Sequence, residues 1–135
     1  MTRLVLDTNV FVSAVLGATL AAVMDQWRAG RFTLIVTDEI VGEYLTVLRR
    51  SKFGLPPDVI DDIIGYVFRK ARFVTPVERL RVIQADPADD KFLEGAVAGN
   101  AALIVSGDHH LLSLQAFRGM PIITPRELLD RLASG

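Results

Sequence analysis

Leu4-Val5-Leu6-Asp7-Thr8-Asn9-Val10 is the stretch from which the fold is read. Three consecutive apolar residues stop at a carboxylate. An unbroken apolar run without alternation fits a strand buried on both faces, as in parallel sheets. The pattern then turns helical from Val10 to about Leu16, with Asn9 as the expected N-cap and Gly17 as the closing residue. The same grammar repeats outward. Residues 19–29 read as a helix starting at Thr19 and ended at Gly30. Phe32 to Val36 is a strand, and Thr37 offers an N-cap for a helix to about Arg50. Pro56 and Pro57 break the chain. Asp58 then opens an amphipathic helix whose apolar residues Val59, Ile60, Ile63, Ile64, Val67 and Phe68 recur at the spacing of one buried face. Phe73-Val74 and Val82-Ile83 are short strand candidates. Asp86-Pro87 pairs an N-cap with a first-turn proline and starts a helix to about Ala98. Ala102 to Val105 is a strand ending at Ser106-Gly107-Asp108, and Met120 to Ile123 is the last strand. Thr124-Pro125-Arg126-Glu127 combines a capping box with a first-turn proline. Continuous apolar strands alternating with helices predict an α/β fold: a three-layer α/β/α arrangement around a central, mostly parallel sheet of about four to five strands. The 135 residues are expected to form one domain spanning 1–135.

Composition narrows the function classes. Half of the residues are apolar (50%) and 23% are charged, as in globular rather than disordered chains. There is no cysteine, which excludes disulfides, thiolate metal sites, iron–sulfur clusters and a cysteine nucleophile. Fifteen basic and 16 acidic residues leave a net charge of −1, so any polyanion must be held by a local patch. No apolar run approaches the 18 or so residues needed to cross a bilayer. The N-terminus runs straight into strand-like sequence without signal-peptide anatomy. The expectation is a cytoplasmic protein with no membrane partner.

Ligands of parallel α/β sheets bind beyond the carboxyl ends of the strands, and several acids fall there. Asp7 follows the first strand and Asp108 a later one. With Asn9 as the cap, Asp7 is free for function. On a helical wheel of about 100° per residue, Ile40, Val41, Tyr44, Leu45 and Leu48 form the buried stripe of their helix. Glu43 lies just outside one edge, within reach of a crevice, while Glu39 should face water. In the next acidic stretch Asp86 reads as a helix cap. Asp90 lies just beyond one edge of the stripe Phe92, Leu93, Ala96 and Val97, and Asp89 near its middle. Both can face the crevice, and spacing does not choose between them. His109 and His110 read as solvated rather than as metal ligands. Nucleotide-binding glycine motifs and a Gly-x-Ser-x-Gly elbow are absent from the sequence. Two carboxylates about 4 Å apart repel by about 4 kcal/mol at an effective dielectric near 20, so a cluster needs cations. Oxygen-only donors suit Mg²⁺ or Mn²⁺, which complete their shells with water and phosphate oxygens. That combination points to metal-assisted cleavage of a phosphodiester. Arg49, Arg50 and Lys52, and separately Arg69, Lys70 and Arg72, are candidate anchors for a polyanion.

Four stretches taken in order resemble the PIN-domain ribonucleases found as toxins of bacterial and archaeal toxin–antitoxin pairs (VapC-like). They are Leu6-Asp7-Thr8-Asn9-Val10, Glu43 on the helix after Thr37, Asp86-Pro87-Ala88-Asp89-Asp90-Lys91-Phe92-Leu93, and Val105-Ser106-Gly107-Asp108. The resemblance implies a Mg²⁺- or Mn²⁺-dependent endoribonuclease, with Asp7, Glu43, Asp90 and Asp108 as catalytic, metal-binding acids. Asp90 is preferred because the family's acid stands three residues before an apolar helix position, here Leu93, with Asp89 as the possible substitute. Ser106 occupies the family's small-hydroxyl position, and Asn9 matches a residue supporting the first Asp. The resemblance further implies an RNA substrate, a cognate antitoxin protein and a homodimer. The alternatives fit less well. A catalytically inactive PIN-like binding domain would not need all four acids. A haloacid-dehalogenase-like phosphatase resembles an Asp-x-Asp pattern, and position 9 is Asn. A receiver-type signalling domain would want a lysine after a late strand, where none stands.

Overall fold

The protein is described from a computed structural model covering residues 2–17 and 20–134. Its strands are β1 (Thr2–Leu6), β2 (Phe32–Val36), β3 (Arg72–Phe73), β4 (Leu103–Val105), β5 (Ala116–Phe117) and β6 (Met120–Ile123). Its helices are α1 (Thr8–Val15), α2 (Ala21–Arg28), α3 (Asp38–Leu48), α4 (Pro57–Lys70), α5 (Asp90–Ala98), α6 (His109–Leu112) and α7 (Pro125–Ser134). Among the described residues the strands form one sheet in the order β3-β2-β1-β4-β6-β5, parallel except for the β5–β6 pair. Leu4, Val5, Leu34, Ile35, Val36, Ile104 and Val105 are fully buried, as unbroken apolar strands covered on both sides require. The chain leaves β1 toward β2 and β3, then returns through α5 to β4 on β1's other side. This reversal puts a crevice beyond the ends of β1 and β4, where such sheets bind ligands.

Several packing contacts fix that crevice. The Tyr44 hydroxyl of α3 donates to the Leu6 carbonyl at 2.6 Å, and its ring stacks on Phe11 of α1 at 4.0 Å. α3 is thereby pinned to the last residue of β1. Gly99 closes α5 against β2, where an added Cβ would lie 2.5 Å from Ile35 Cγ2. Only glycine lets the helix end approach the strand this closely.

The structure departs from the sequence reading in specific places. α1 starts at Thr8 and is capped by Asp7, whose Oδ1 accepts from the Val10 N–H at 2.9 Å; Asn9 lies within the helix and is exposed. Val82 and Ile83 form no strand, because both N–H groups are taken by the Asp90 carboxylate, at 3.1 and 2.9 Å. Side-chain acceptors compete with ladder partners in this way. β5 was not expected. Its hairpin turns through Arg118 (φ 49) and Gly119 (φ 82), the positive φ pair that a two-residue hairpin demands, reached without an Asn-Gly signal. Together with the two-residue β3, it takes the sheet to six strands. The Thr19 start expected for the second helix lies outside the described residues, and that helix begins at Ala21.

Candidate metal-binding cleft

Asp7 leaves β1 with its N–H bonded to the Val105 carbonyl at 3.0 Å, so it still belongs to the sheet. Its side chain is 4% exposed and fully engaged. Oδ1 caps α1, while Oδ2 accepts from the Ser106 hydroxyl and from the Gly107 N–H, the latter at 3.3 Å. Burial pushes the Asp7 carboxyl above its usual range and the neighbouring Asp108 charge adds to this, with the three hydrogen bonds opposing. Ser106, fully buried, also accepts from the Asp108 N–H at 2.9 Å. Asp108 in turn caps α6 through the His110 N–H at 2.9 Å.

Glu43 faces this pair from α3. The Thr8 hydroxyl donates to its Oε1 and the Lys91 ammonium to its Oε2. Lys91 also donates to the Ala88 carbonyl. The fourth wall is a 3₁₀ turn, Pro87–Asp89, preceding α5. Such a turn has about three residues per repeat, so residues three apart fall on one side. Asp86 and Asp89 accordingly join Asp108, with one oxygen from each lying within 4.8 Å of the others. Asp89 Oδ2 is buried and meets no hydrogen-bond partner among the described residues. Burial first, then the hydrogen bond with Asp108 and the Asp86 and Asp108 charges, push the Asp89 carboxyl up to about 7. For Asp108, burial is outweighed by that same hydrogen bond, the His110 N–H and the two histidines, and its carboxyl is held below the usual range. Of the two neighbouring acids, Asp89 is thus the one that holds a proton more readily, with Asp108 beside it.

The result is an open cleft of about 390 Å³ containing five carboxylates, Asp7, Glu43, Asp86, Asp89 and Asp108, with Asn9 and Arg50 beside them. Asp7, Glu43 and Asp108 come together as the sequence reading placed them. Ser106 supports Asp7 directly. Arg50 lines the cleft, whereas Arg49 and Lys52 do not. Glu39 is at the surface, 3.5 Å from Arg79. Asp90 is the correction. It points away from the cleft into a neighbouring cavity of about 900 Å³, where it holds the Val82 and Ile83 N–H groups. The wheel assumed an α-helix from Asp86. The helix starts only at Asp90, and the 3₁₀ turn before it hands the cleft to Asp89. Asp86, read as a cap, makes no side-chain cap bond and is a cleft residue instead. Lys91 and Glu94 were not singled out. Glu94 is buried and accepts from Arg79 and from the Leu80 N–H, both at 2.8 Å. No local spacing signals either residue. His109 is solvated as expected, while His110 is partly covered; their ring nitrogens and an Asp108 oxygen also lie within 4.8 Å of one another.

A hard dication fits this donor set. The oxygens are the right type, three of them converge, and one Asp89 oxygen is buried without a donor among the described residues. The raised Asp89 carboxyl gives a pH prediction for the metal-free protein. Asp89 is raised from an ordinary value of 3.8 to about 7, so between those limits the folded chain binds a proton that the unfolded chain releases. Its contribution to stability is complete below about pH 4 and lost as pH rises through about 7. Melting in EDTA should therefore show a decline in Tm from pH 5 to 8 that is much smaller in Asp89→Asn.

A family model described as "PIN domain" matches residues 3–110. Among solved structures the chain is similar to "Crystal structure of PAE2754 from Pyrobaculum aerophilum", at 20% identity and a TM-score of 0.65, covering 99% of this chain and 91% of that one. That likeness is one of fold. No curated protein matches the chain in sequence. PIN domains are typically metal-dependent nucleases. With the match covering residues 3–110, this chain belongs to the PIN-domain family.

Proposed function

We propose that the chain is a Mg²⁺- or Mn²⁺-dependent endoribonuclease and the toxin of a toxin–antitoxin pair. The observation that carries the nuclease reading is the Asp86, Asp89 and Asp108 oxygens within 4.8 Å of one another at the β1–β4 crevice, with Asp89 Oδ2 lacking a donor among the described residues. RNA as substrate, an antitoxin partner and a homodimer rest on the four-motif resemblance. When bound, a hard dication supplies Lewis acidity toward a phosphodiester and a water of lowered pKa. Asp86, Asp89 and Asp108 would hold it. Asp7, held by three donors, stands at the floor of the cleft and orients the Ser106–Asp108 segment. Arg50, in the same cleft, offers a cation to the backbone of a polyanion, and the exposed Asn9 amide offers donors to phosphate oxygens.

The test is incubation of the purified chain with total RNA and with single-stranded DNA, in Mg²⁺, Mn²⁺ or EDTA, reading new ends by primer extension. New RNA ends in either metal and none in EDTA are expected. Products that survive EDTA, or no products in either metal, overturn the reading. Growth arrest on induction, relieved by Asp7→Asn, tests the toxin role.

A further inference from the structure

Lys91 stands at the second position of α5 with its side chain only 9% exposed. Lysine is almost never buried without partners, because its ammonium loses its hydration. Here the ammonium meets two oxygens on opposite walls of the cleft. One is Glu43 Oε2 on α3; the other is the Ala88 carbonyl, in the middle of the turn that presents Asp89. The other Glu43 oxygen takes the Thr8 hydroxyl. Both oxygens of Glu43 are therefore engaged by donors, and one donor is a full positive charge. A dication on Oε2 would have to sit beside that ammonium, where like charges repel strongly out of bulk water. The carboxylates that do converge, Asp86, Asp89 and Asp108, do not include Glu43.

We infer that Lys91 is a positioning residue standing where a second metal ion would otherwise stand. One dication binds on Asp86, Asp89 and Asp108, and Glu43 is held by the Lys91 ammonium instead of by metal. By bonding Glu43 and Ala88 together, Lys91 sets the gap between α3 and the acidic turn and places a positive charge beside the cleft's carboxylates. This inference rests on the metal-dependent reading of the cleft.

The experiment counts Mn²⁺ bound to the full chain without RNA, by calorimetry and electron paramagnetic resonance. The wild type is expected to bind one ion. Glu43→Gln should bind it within about threefold of wild type, while Asp89→Asn weakens it by about 30-fold. Lys91→Met keeps the side-chain length without the charge. It should retain Mn²⁺ at least as tightly, yet lose about 30-fold in kcat with KM within about threefold, and Lys91→Arg should recover part of the rate. A role confined to holding the fold would lower Mn²⁺ binding and cleavage together, and that result in a folded Lys91→Met overturns the inference. Two ions in the wild type, one of them lost in Glu43→Gln, overturn it while leaving the nuclease reading intact. No bound Mn²⁺ overturns both. If circular dichroism shows that Lys91→Met does not fold, the Glu43→Gln comparison decides.

Discussion

Asp89→Asn is expected to abolish metal-dependent RNA cleavage, by about 100-fold or more, without harming the fold. Asp89 belongs to the converging trio, one of its oxygens is buried without a donor among the described residues, and its carboxyl is pushed up to about 7, first by burial. An amide at this position has the same shape. It removes a negative charge from a repelling group, so the metal-free protein at pH 8 should melt at the same temperature or higher. The change also removes one anionic ligand, and carboxylate ligands are what a hard dication selects. Cleavage assays in Mn²⁺ beside melting in EDTA check both halves. A variant that cuts at the wild-type rate would remove Asp89 from the site.

Its neighbour should behave in the opposite way. Asp90→Ala deprives the Val82 and Ile83 N–H groups of their acceptor in a buried setting. Each buried donor left unsatisfied costs about 1–3 kcal/mol, so a loss of roughly 3 kcal/mol is expected, on the order of 10 °C in Tm for a chain of this size. In the fraction that stays folded, Mn²⁺ affinity should remain within about threefold, because Asp90 reaches a different cavity. Asp90→Asn keeps an acceptor oxygen and should lose much less stability. Wild-type stability in Asp90→Ala together with lost metal binding would restore Asp90 to the cleft and displace the loop-anchoring role.

Adjacent residues with opposite roles show where sequence reading stops. The strands beyond which the cleft lies were legible because Leu4–Leu6 and Leu103–Val105 are unbroken apolar runs, as burial on both faces requires. Glu43 was legible because α3 is regular from its Thr37 cap, so a wheel places it correctly and sends Glu39 to the surface. The acidic turn was not legible. Proline at position 87 is compatible with either kind of helical start, and a 3₁₀ opening rotates Asp86 and Asp89 together toward Asp108. Asp7 was legible as a cleft residue for an incomplete reason. It was freed for function by assigning the cap to Asn9, whereas one oxygen caps α1 and the other holds Ser106 and Gly107. Lys91 escaped notice because a buried ammonium is defined by a partner 48 positions away, which no local pattern encodes.

The Ser106 hydroxyl carries one more consequence. A backbone amide can only donate, so the Asp108 N–H occupies a lone pair on Ser106 Oγ and the hydroxyl hydrogen is directed at Asp7. The chain of bonds has a single polarity, and each link strengthens the next. The end of β4 is thereby latched to the end of β1 through a rotor with no freedom left to turn.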